Sequence, residues 1–484
     1  MNRIKKVLKN LSAPSTLQII AFLTGFALMT FELVAARILA PTIGSSTYVW
    51  TSVIGVIIAA LSLGYWSGGK LADRRDRPSD VAALAIAAAI CVGIMMAIYP
   101  SLLQWITGTI YDNRLQGVVA SVTLFAPVSF ILGMISPYLV KLSIRSLNTS
   151  GRSVAGLSAL NSVGGITGTF ITGFVLFSYI GSRETLAIVV IALLLSSWLI
   201  VPSRRFKFRA IVSLIIIAAI SVPMPTANAL VAEIDSPSAH YEVSDGFYGG
   251  QYTRVLTTGP GGAQSGITLA DPDSLAFWYT SYSAQVIQKM KPTRVLVLGG
   301  GVFTLPAYLA DALPDAQIDA VEIDPALYDI AKDYFQFRDR ENLNLYFEDA
   351  RTFVNQSNEK YDVIMVDVYG NTAIPFTFLT KEYGEAVAKL LTPNGKVVVN
   401  AIGAQEGACR EVIDVIDAAY RSSLPYAYWQ SEAVTPGERA NYILVYSQRP
   451  LGDTDMHVLS NGDHEPYTDN FAPSDQLHFR CHQG

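Results

Sequence analysis

Charge is thin in this chain of 484 residues: Asp, Glu, Lys and Arg make up 15% of it against 51% hydrophobic residues, and the net charge is -5. No block of five like charges occurs, so the electrostatic footprint of a nucleic-acid binder is missing. The three cysteines, Cys91, Cys409 and Cys481, stand far apart without a CxxC pair, which removes zinc-ribbon and dithiol redox readings. Histidine is nearly as scarce. Apart from His240 the histidines gather in the tail, and none follows a nucleophile elbow, so Ser-His-Asp and Cys-His catalysis have no support. His478, Cys481 and His482 do fall close together, but a frayed terminus is the simpler reading and no metal is expected.

What the chain has in abundance is apolar runs, near 16-36, 48-69, 81-100, 116-140, 153-181, 184-201 and 210-230. Crossing about 30 Å of hydrocarbon takes about 20 helical residues, and in lipid each backbone group must pair within its own segment. The pattern predicts an α-helical transmembrane bundle of about seven helices over 1-230. A cleavable signal peptide does not suit the first run, which is long and is followed by six others.

Basic residues sort between alternate loops. Lys5, Lys6 and Lys9 precede the first helix; Lys70, Arg74, Arg75 and Arg77 follow the second; Lys141, Arg145 and Arg152 follow the fourth; Arg204, Arg205, Lys207 and Arg209 follow the sixth. The other loops offer little beyond Arg37, Arg114 and Arg183. This asymmetry predicts a multi-pass protein of the cell (inner) membrane with its amino terminus in the cytoplasm. Seven crossings would then deliver the second half outside. The seventh run has a short apolar core, 210 to 222, ended by Pro223 and Pro225; lying along the interface instead, it would keep the second half cytoplasmic.

Within the bundle, Gly164 and Gly168 have the GxxxG spacing that lets helices approach closely. Glu32 is a carboxylate in an apolar run and should face a partner: Arg37, a residue of another helix or a substrate amine. Arg37 lies about 140° around the helix from it, a poor same-face neighbour. The stretch "GYWSGGKLADRRDR" resembles a cytoplasmic loop of major facilitator transporters, which keeps transport open as a function; that superfamily has twelve helices, and topology alone also yields such a loop.

The composition turns globular near residue 230. Short apolar runs with Gly and Ser turns over 231-272 suggest a small β-unit, and a helical stretch begins at 273. Over 273-484 strands alternate with helices: "RVLVLGGG", "QIDAVEID", "LNLYFED", "YDVIMVDVY" and "GKVVVNAI" are the strands. That alternation predicts an α/β, Rossmann-like, methyltransferase-type doubly wound sheet, whose ligands sit beyond the carboxyl ends of the strands. Those ends carry Gly299, Gly300 and Gly301, then Glu322, Asp349 and Asp367. A glycine turn admits a ligand to the backbone, and a carboxylate after the second strand can accept both ribose hydroxyls, so the set points to an adenosine moiety.

"VLVLGGG", "VEID", "EDARTF", "YDVIMVDVYG" and "FLTKEYGEAVAKLLTPNGKVVVN" resemble the spermidine synthases, the polyamine aminopropyltransferases, over approximately 235 to 450. "FELVAARILAPTIGSS" and "LGYWSGGKLADR" look like the helical portion of membrane-integrated members of that group. The resemblance implies an S-adenosylmethionine-type sulfonium substrate, or its decarboxylated form, with Glu322 accepting the ribose diol, Asp349 and Ala350 at the adenine, Gln264 near the nucleoside and Asp367 at the mouth of the reaction site.

Two departures stand against these agreements. The aspartate that in spermidine synthases follows the glycine turn and holds the aminopropyl amine is Val302 here, and the aspartate that deprotonates the attacking amine is Gly370. An alkylammonium must lose a proton before it attacks, and a carboxylate normally assists. Asp367 or Tyr369 could substitute, the phenol only if its pKa fell far below its usual 10. Val302 favours unmodified S-adenosylmethionine. The expected function is transfer or elimination of an alkyl group with methylthioadenosine as product; methyl transfer, lyase chemistry, and a transporter or sensor regulated by nucleoside binding are the alternatives. Expected partners are a small-molecule substrate and the lipid bilayer, not nucleic acid. The oligomeric state is open, a homodimer included. The closing "PYTDNFAPSDQL" offers Asp469 and Asp475 either to the cleft or to solvent-exposed turns.

Overall fold

The computed structural model describes residues 13-44, 46-75, 77-110, 112-144, 150-200, 206-220, 230-259, 262-369, 374-433, 435-452, 454-460, 462 and 464-483. Two compact units emerge: Met1–Thr226 with Asp235–Pro237, and Ala227–Ile234 with Ser238–Gly484.

Six helices of the first unit are long and apolar enough to cross a membrane: α1 (Thr16–Ile43), α2 (Thr47–Arg74), α3 (Pro78–Thr109), α4 (Arg114–Ser143), α5 (Gly151–Leu176) and α6 (Ser182–Leu199). The seventh apolar run forms a shorter helix, α7 (Phe206–Ile220), of 15 residues. At 1.5 Å per residue it spans about 22 Å, short of the hydrocarbon thickness. Among the described residues, the seven expected helices are thus present as six long ones and the shorter α7. One-residue π-bulges interrupt α4 at Ser121–Phe125 and α5 at Thr172–Leu176.

Glycine sets a close contact between α1 and α5. A Cβ on Gly164 or Gly168 of α5 would overlap the Phe22 or crowd the Phe26 carbonyl of α1, the backbone approach that GxxxG spacing permits. Thr30 and Thr172 bridge the same helices hydroxyl to hydroxyl at 3.0 Å. Arg37 does not serve Glu32: it pairs with Asp235 at 3.3 Å and lies over the Phe177 ring. In the stretch resembling the transporter loop, Asp73 pairs with Lys141 at 2.8 Å, both exposed, an arrangement worth little by itself.

The second unit opens with a small sheet in the order β1 (Leu230–Asp235), β2 (His240–Tyr248), β3 (Gln251–Thr257), β4 (Ala263–Thr268), β5 (Asp271–Leu275). Helix α8 (Trp278–Lys289) leads into the large sheet. Its strands are β6 (Arg294–Leu298), β7 (Gln317–Glu322), β8 (Leu343–Phe347), β9 (Tyr361–Val366), β10 (Leu391–Gly403), β11 (Tyr426–Ser431), β12 (Ala440–Ser447) and β13 (His457–Val458). Their order is β13-β11-β12-β10-β9-β6-β7-β8. The five from β8 to β10 run parallel, whereas β12 is antiparallel to β10 and β11 to β12. The chain winds from β6 outward through β7 and β8, then returns to β9 on the other side of β6. The seam between β6 and β9 is the switch point where such sheets place ligands.

Sequence explains these strands. "VLVL" and "VIMV" are short runs of β-branched and aliphatic residues buried on both faces, as central parallel strands require. The helices packed on them are amphipathic and capped: Asp349 caps α11 (Ala350–Gln356) and Thr380 caps α12 (Lys381–Lys389). The antiparallel β11 and β12 escape a reading based on strand-helix alternation. The tail does not fray. It forms helix α14 (Ser474–Gln483), and Cys481 is joined by a disulfide to Cys409, 72 positions away at the start of α13 (Arg410–Arg421). The side chains of His478 and His482 lie outside the described residues.

Candidate active site

Strand β6 ends on Leu298, and the turn behind it is pinned from both neighbours. Gly299 N–H donates to the Val321 carbonyl at 2.9 Å, and Asp367 N–H donates to the Leu298 carbonyl at 2.8 Å. Gly299 has φ +93, and a Cβ there would overlap the Asp367 carbonyl; only glycine fits. The turn closes on Phe303, itself left-handed at φ 59, which starts α9 (Thr304–Ala312).

Glu322, at the end of β7, holds this turn. Its Oε2 accepts the N–H groups of Gly300 at 3.0 Å and Gly301 at 2.9 Å, and Oε1 accepts that of Asp324 at 3.1 Å. Burial raises its carboxyl above the usual range against the pull of these backbone donors. Asp349 uses Oδ1 to cap α11 through Thr352 N–H at 2.9 Å, which leaves Oδ2 for another donor, and Ala350 follows it in the first turn of that helix.

At the end of β9, Asp367 accepts the side-chain amide of Asn400 at 2.8 Å. Burial lifts its carboxyl to about 6, the Asn400 bond opposes this, and the negative Glu322 adds to it. The two carboxylates thus sense each other across the β6 turn. The Tyr369 hydroxyl accepts Ile402 N–H at 2.6 Å, and burial drives its pKa further up. A phenolate base would need the opposite, downward shift. Gly370 lies outside the described residues.

Val302 is 1% exposed and packs in the core beneath the turn. The departure from the spermidine synthase pattern is therefore a hydrophobic replacement that the fold has absorbed into its interior. Gln264 comes to the site through its backbone: its carbonyl accepts the Tyr279 hydroxyl at 2.9 Å. Tyr279 is held protonated, first by burial and then by the negative charge of Asp367. Its neighbour Ser265 faces Gly301 and offers its hydroxyl to Val302 N–H at 3.5 Å.

Tyr279, Ser265 and Asn400 were not found from the sequence. Asn400 alone left a trace, a polar residue inside the strand "VVVNAI", since buried polar groups in central strands need a reason. Asp469 sits exposed in a turn and also reaches back: it pairs with Arg351 at 2.6 Å and accepts the Thr380 hydroxyl at 2.6 Å. The closing motif thereby fastens α11 and α12, behind Asp349, rather than entering the cleft.

Part of the chain is similar to known proteins. Residues 279–430 match the family model of the spermine/spermidine synthase domain. A polyamine aminopropyltransferase of Vibrio vulnificus is 33% identical over 135 residues, which are 27% of this chain and 44% of that protein. An eEF1A lysine and N-terminal methyltransferase of Bos taurus is 29% identical over 150 residues, 28% of this chain and 21% of that one. The chain thus spans less than half the length of these curated relatives. Among solved structures, a probable spermidine synthase from Corynebacterium glutamicum aligns with a TM-score of 0.41 at 19% identity, over 52% of this chain and 99% of that one. After six long apolar helices, residues 279–430 of this chain thus match a spermine/spermidine synthase domain, with partial similarity to aminopropyltransferases and methyltransferases.

Proposed function

We propose that this protein is a membrane-embedded enzyme that binds S-adenosylmethionine, or its decarboxylated form, and moves or eliminates an alkyl arm of the sulfonium with methylthioadenosine as product. One observation carries the reading: Glu322 grips the amides of the glycine turn while Asp349 and Asp367 stand at neighbouring strand ends. Glu322 is then the ribose-diol acceptor, Asp349 with Ala350 the adenine contact, and the Gly299-Gly301 turn with Gln264 the rest of the nucleoside cradle. Asp367 is the charged group at the reacting carbon.

Aminopropyl transfer is what the relatives suggest, and Asp367, near 6, would be ionised at neutral pH to take the proton of an attacking amine. Elimination within S-adenosylmethionine is the second reading, favoured by Val302 and by the raised Tyr369. Its own carboxylate oxygen would close on Cγ as the S–Cγ bond breaks, giving methylthioadenosine and a homoserine lactone. No outside nucleophile and no proton transfer would be needed. Methyl transfer and a purely regulatory nucleoside domain on a transporter remain the rival outcomes.

The membrane assignment is supported by outward residues such as Trp66 (63% exposed) and Phe174 (71%) on the long helices, a surface suited to hydrocarbon rather than water. Six crossings would return the chain to the side on which it started, and the loop charges favour the cytoplasmic side of a cell (inner) membrane. The partners proposed are the bilayer and a small molecule. A test incubates the full-length protein in detergent with S-adenosylmethionine or its decarboxylated form, with and without putrescine, and follows methylthioadenosine by chromatography. Its release from either sulfonium supports the reading; release without amine selects elimination; S-adenosylhomocysteine instead selects methyl transfer; no turnover with no binding removes the enzyme.

A further inference from the structure

Arg439, which the family resemblance did not assign, stands near the exit of the central strands. Strand β12 enters the sheet opposite the exit of β10: Ala440 pairs with Gly403 and Asn441 with Ile402. Ile402 is the residue whose N–H the Tyr369 hydroxyl accepts. Arg439, one position before Ala440, is therefore set at the carboxyl edge of the sheet beside Tyr369, and it is exposed. Asp367 lies two residues before Tyr369 on the same strand exit. Tyr369 senses both charges, Asp367 raising and Arg439 lowering its pKa.

Among the described residues no carboxylate pairs with Arg439. The acids next to it are turned to other work: Glu432 Oε1 accepts the Asn441 side chain at 2.9 Å, and Glu438 Oε2 accepts Thr435 N–H at 3.3 Å. A diamine or an aminopropyl ammonium would meet a guanidinium here, with no carboxylate at Val302. An α-amino acid head, by contrast, carries an ammonium for Asp367 and a carboxylate for Arg439, whose fork suits a carboxylate.

Resting on the proposed nucleoside site, we infer that Arg439 and Asp367 form a subsite for an α-amino-acid group, with Arg439 the specificity-determining residue for its carboxylate. The group is either the methionyl end of S-adenosylmethionine or a free amino acid bound beside the nucleoside. Arg439 binds and orients; it exchanges no proton.

The test is calorimetry on the full-length protein in detergent, wild type against Arg439→Gln and Arg439→Lys. Ligands are methylthioadenosine, S-adenosylmethionine, its decarboxylated form, and L-methionine added to protein saturated with methylthioadenosine. A charge-assisted pair to one carboxylate predicts that wild type prefers the carboxylate-bearing ligand by on the order of tenfold or more. Arg439→Gln should lose that preference, Arg439→Lys should retain part of it, and methylthioadenosine should bind all three alike. Preference for S-adenosylmethionine over its decarboxylated form identifies the methionyl source, and binding of L-methionine identifies the separate amino acid. Equal or better binding of the decarboxylated compound together with no L-methionine binding overturns the subsite, as does an unchanged preference in Arg439→Gln. Methylthioadenosine failing to bind wild type instead removes the nucleoside reading beneath it.

Discussion

Asn400 donates its side-chain amide to Asp367 across 2.8 Å, from β10 to the exit of β9. Because this bond favours the ionised carboxylate, it opposes the burial that lifts Asp367 to about 6. Activity that needs ionised Asp367 should rise through about pH 6, and Asn400→Leu should move that limb upward by on the order of one unit, which a pH-rate profile reads. Asp367→Asn should abolish the limb and lower the rate by on the order of a hundredfold, whereas Tyr369→Phe, removing a neutral hydroxyl, should cost less than about tenfold and leave the limb in place.

The same shift has a stability consequence with a definite sign. A carboxyl raised from 3.8 to about 6 on folding binds its proton more tightly in the folded state, so its contribution is most favourable below about pH 4 and is lost as pH rises to 6. Asp367→Asn removes the burial of a charge, and at pH 7 should stabilise the domain by on the order of 1–3 kcal/mol. Thermal unfolding at pH 5 and pH 7 checks this: the gain over wild type should be larger at pH 7.

Glu322 both supports the turn and faces the proposed ribose. Glu322→Ala leaves the Gly300 and Gly301 amides without their acceptor and should destabilise the domain by roughly 2–4 kcal/mol. Glu322→Gln keeps one amide oxygen for them and should recover much of that loss while still binding methylthioadenosine far more weakly than wild type. Denaturant titration and calorimetry on the same two variants separate the roles; wild-type affinity in Glu322→Gln would refute the ribose assignment.

Gly299→Ala tests the seam itself. With φ +93 and the Asp367 carbonyl in the path of a Cβ, the substitution should displace the β6 turn and remove nucleoside binding. Gly407, also at positive φ but in open space, is the control: its alanine variant should cost about 1 kcal/mol and leave binding intact.

The parallel core was legible because its signals are local. "RVLVLGGG" shows a strand and its turn within eight residues, and Glu322, Asp349 and Asp367 are recognisable as strand-end acids once the alternation is seen. What was missed is what distant segments bring together. Tyr279 belongs to a helix that precedes the sheet, and Asn400 acquires meaning only when β10 lies beside β9. Arg439 stands in a hairpin whose antiparallel pairing the alternation does not signal. Tyr369 likewise takes its setting from a distant residue, because its hydroxyl accepts the N–H of Ile402, 33 positions on. The seventh apolar run is described only over its first part, the helix Phe206–Ile220.

The bond between Cys409 and Cys481 ties the last helix to the start of α13 and closes a loop of 72 positions. Constraining the unfolded chain over that separation stabilises the folded state by roughly 4 kcal/mol in the chain-entropy picture. Thiols facing the cytosol are kept reduced, while those facing the periplasm become oxidised. The sulfur pair is thus a compass for the whole chain: rapid alkylation of intact cells, followed by mass measurement of the C-terminal peptide, tells which compartment this domain inhabits and with it which pool of sulfonium nucleoside it can draw upon.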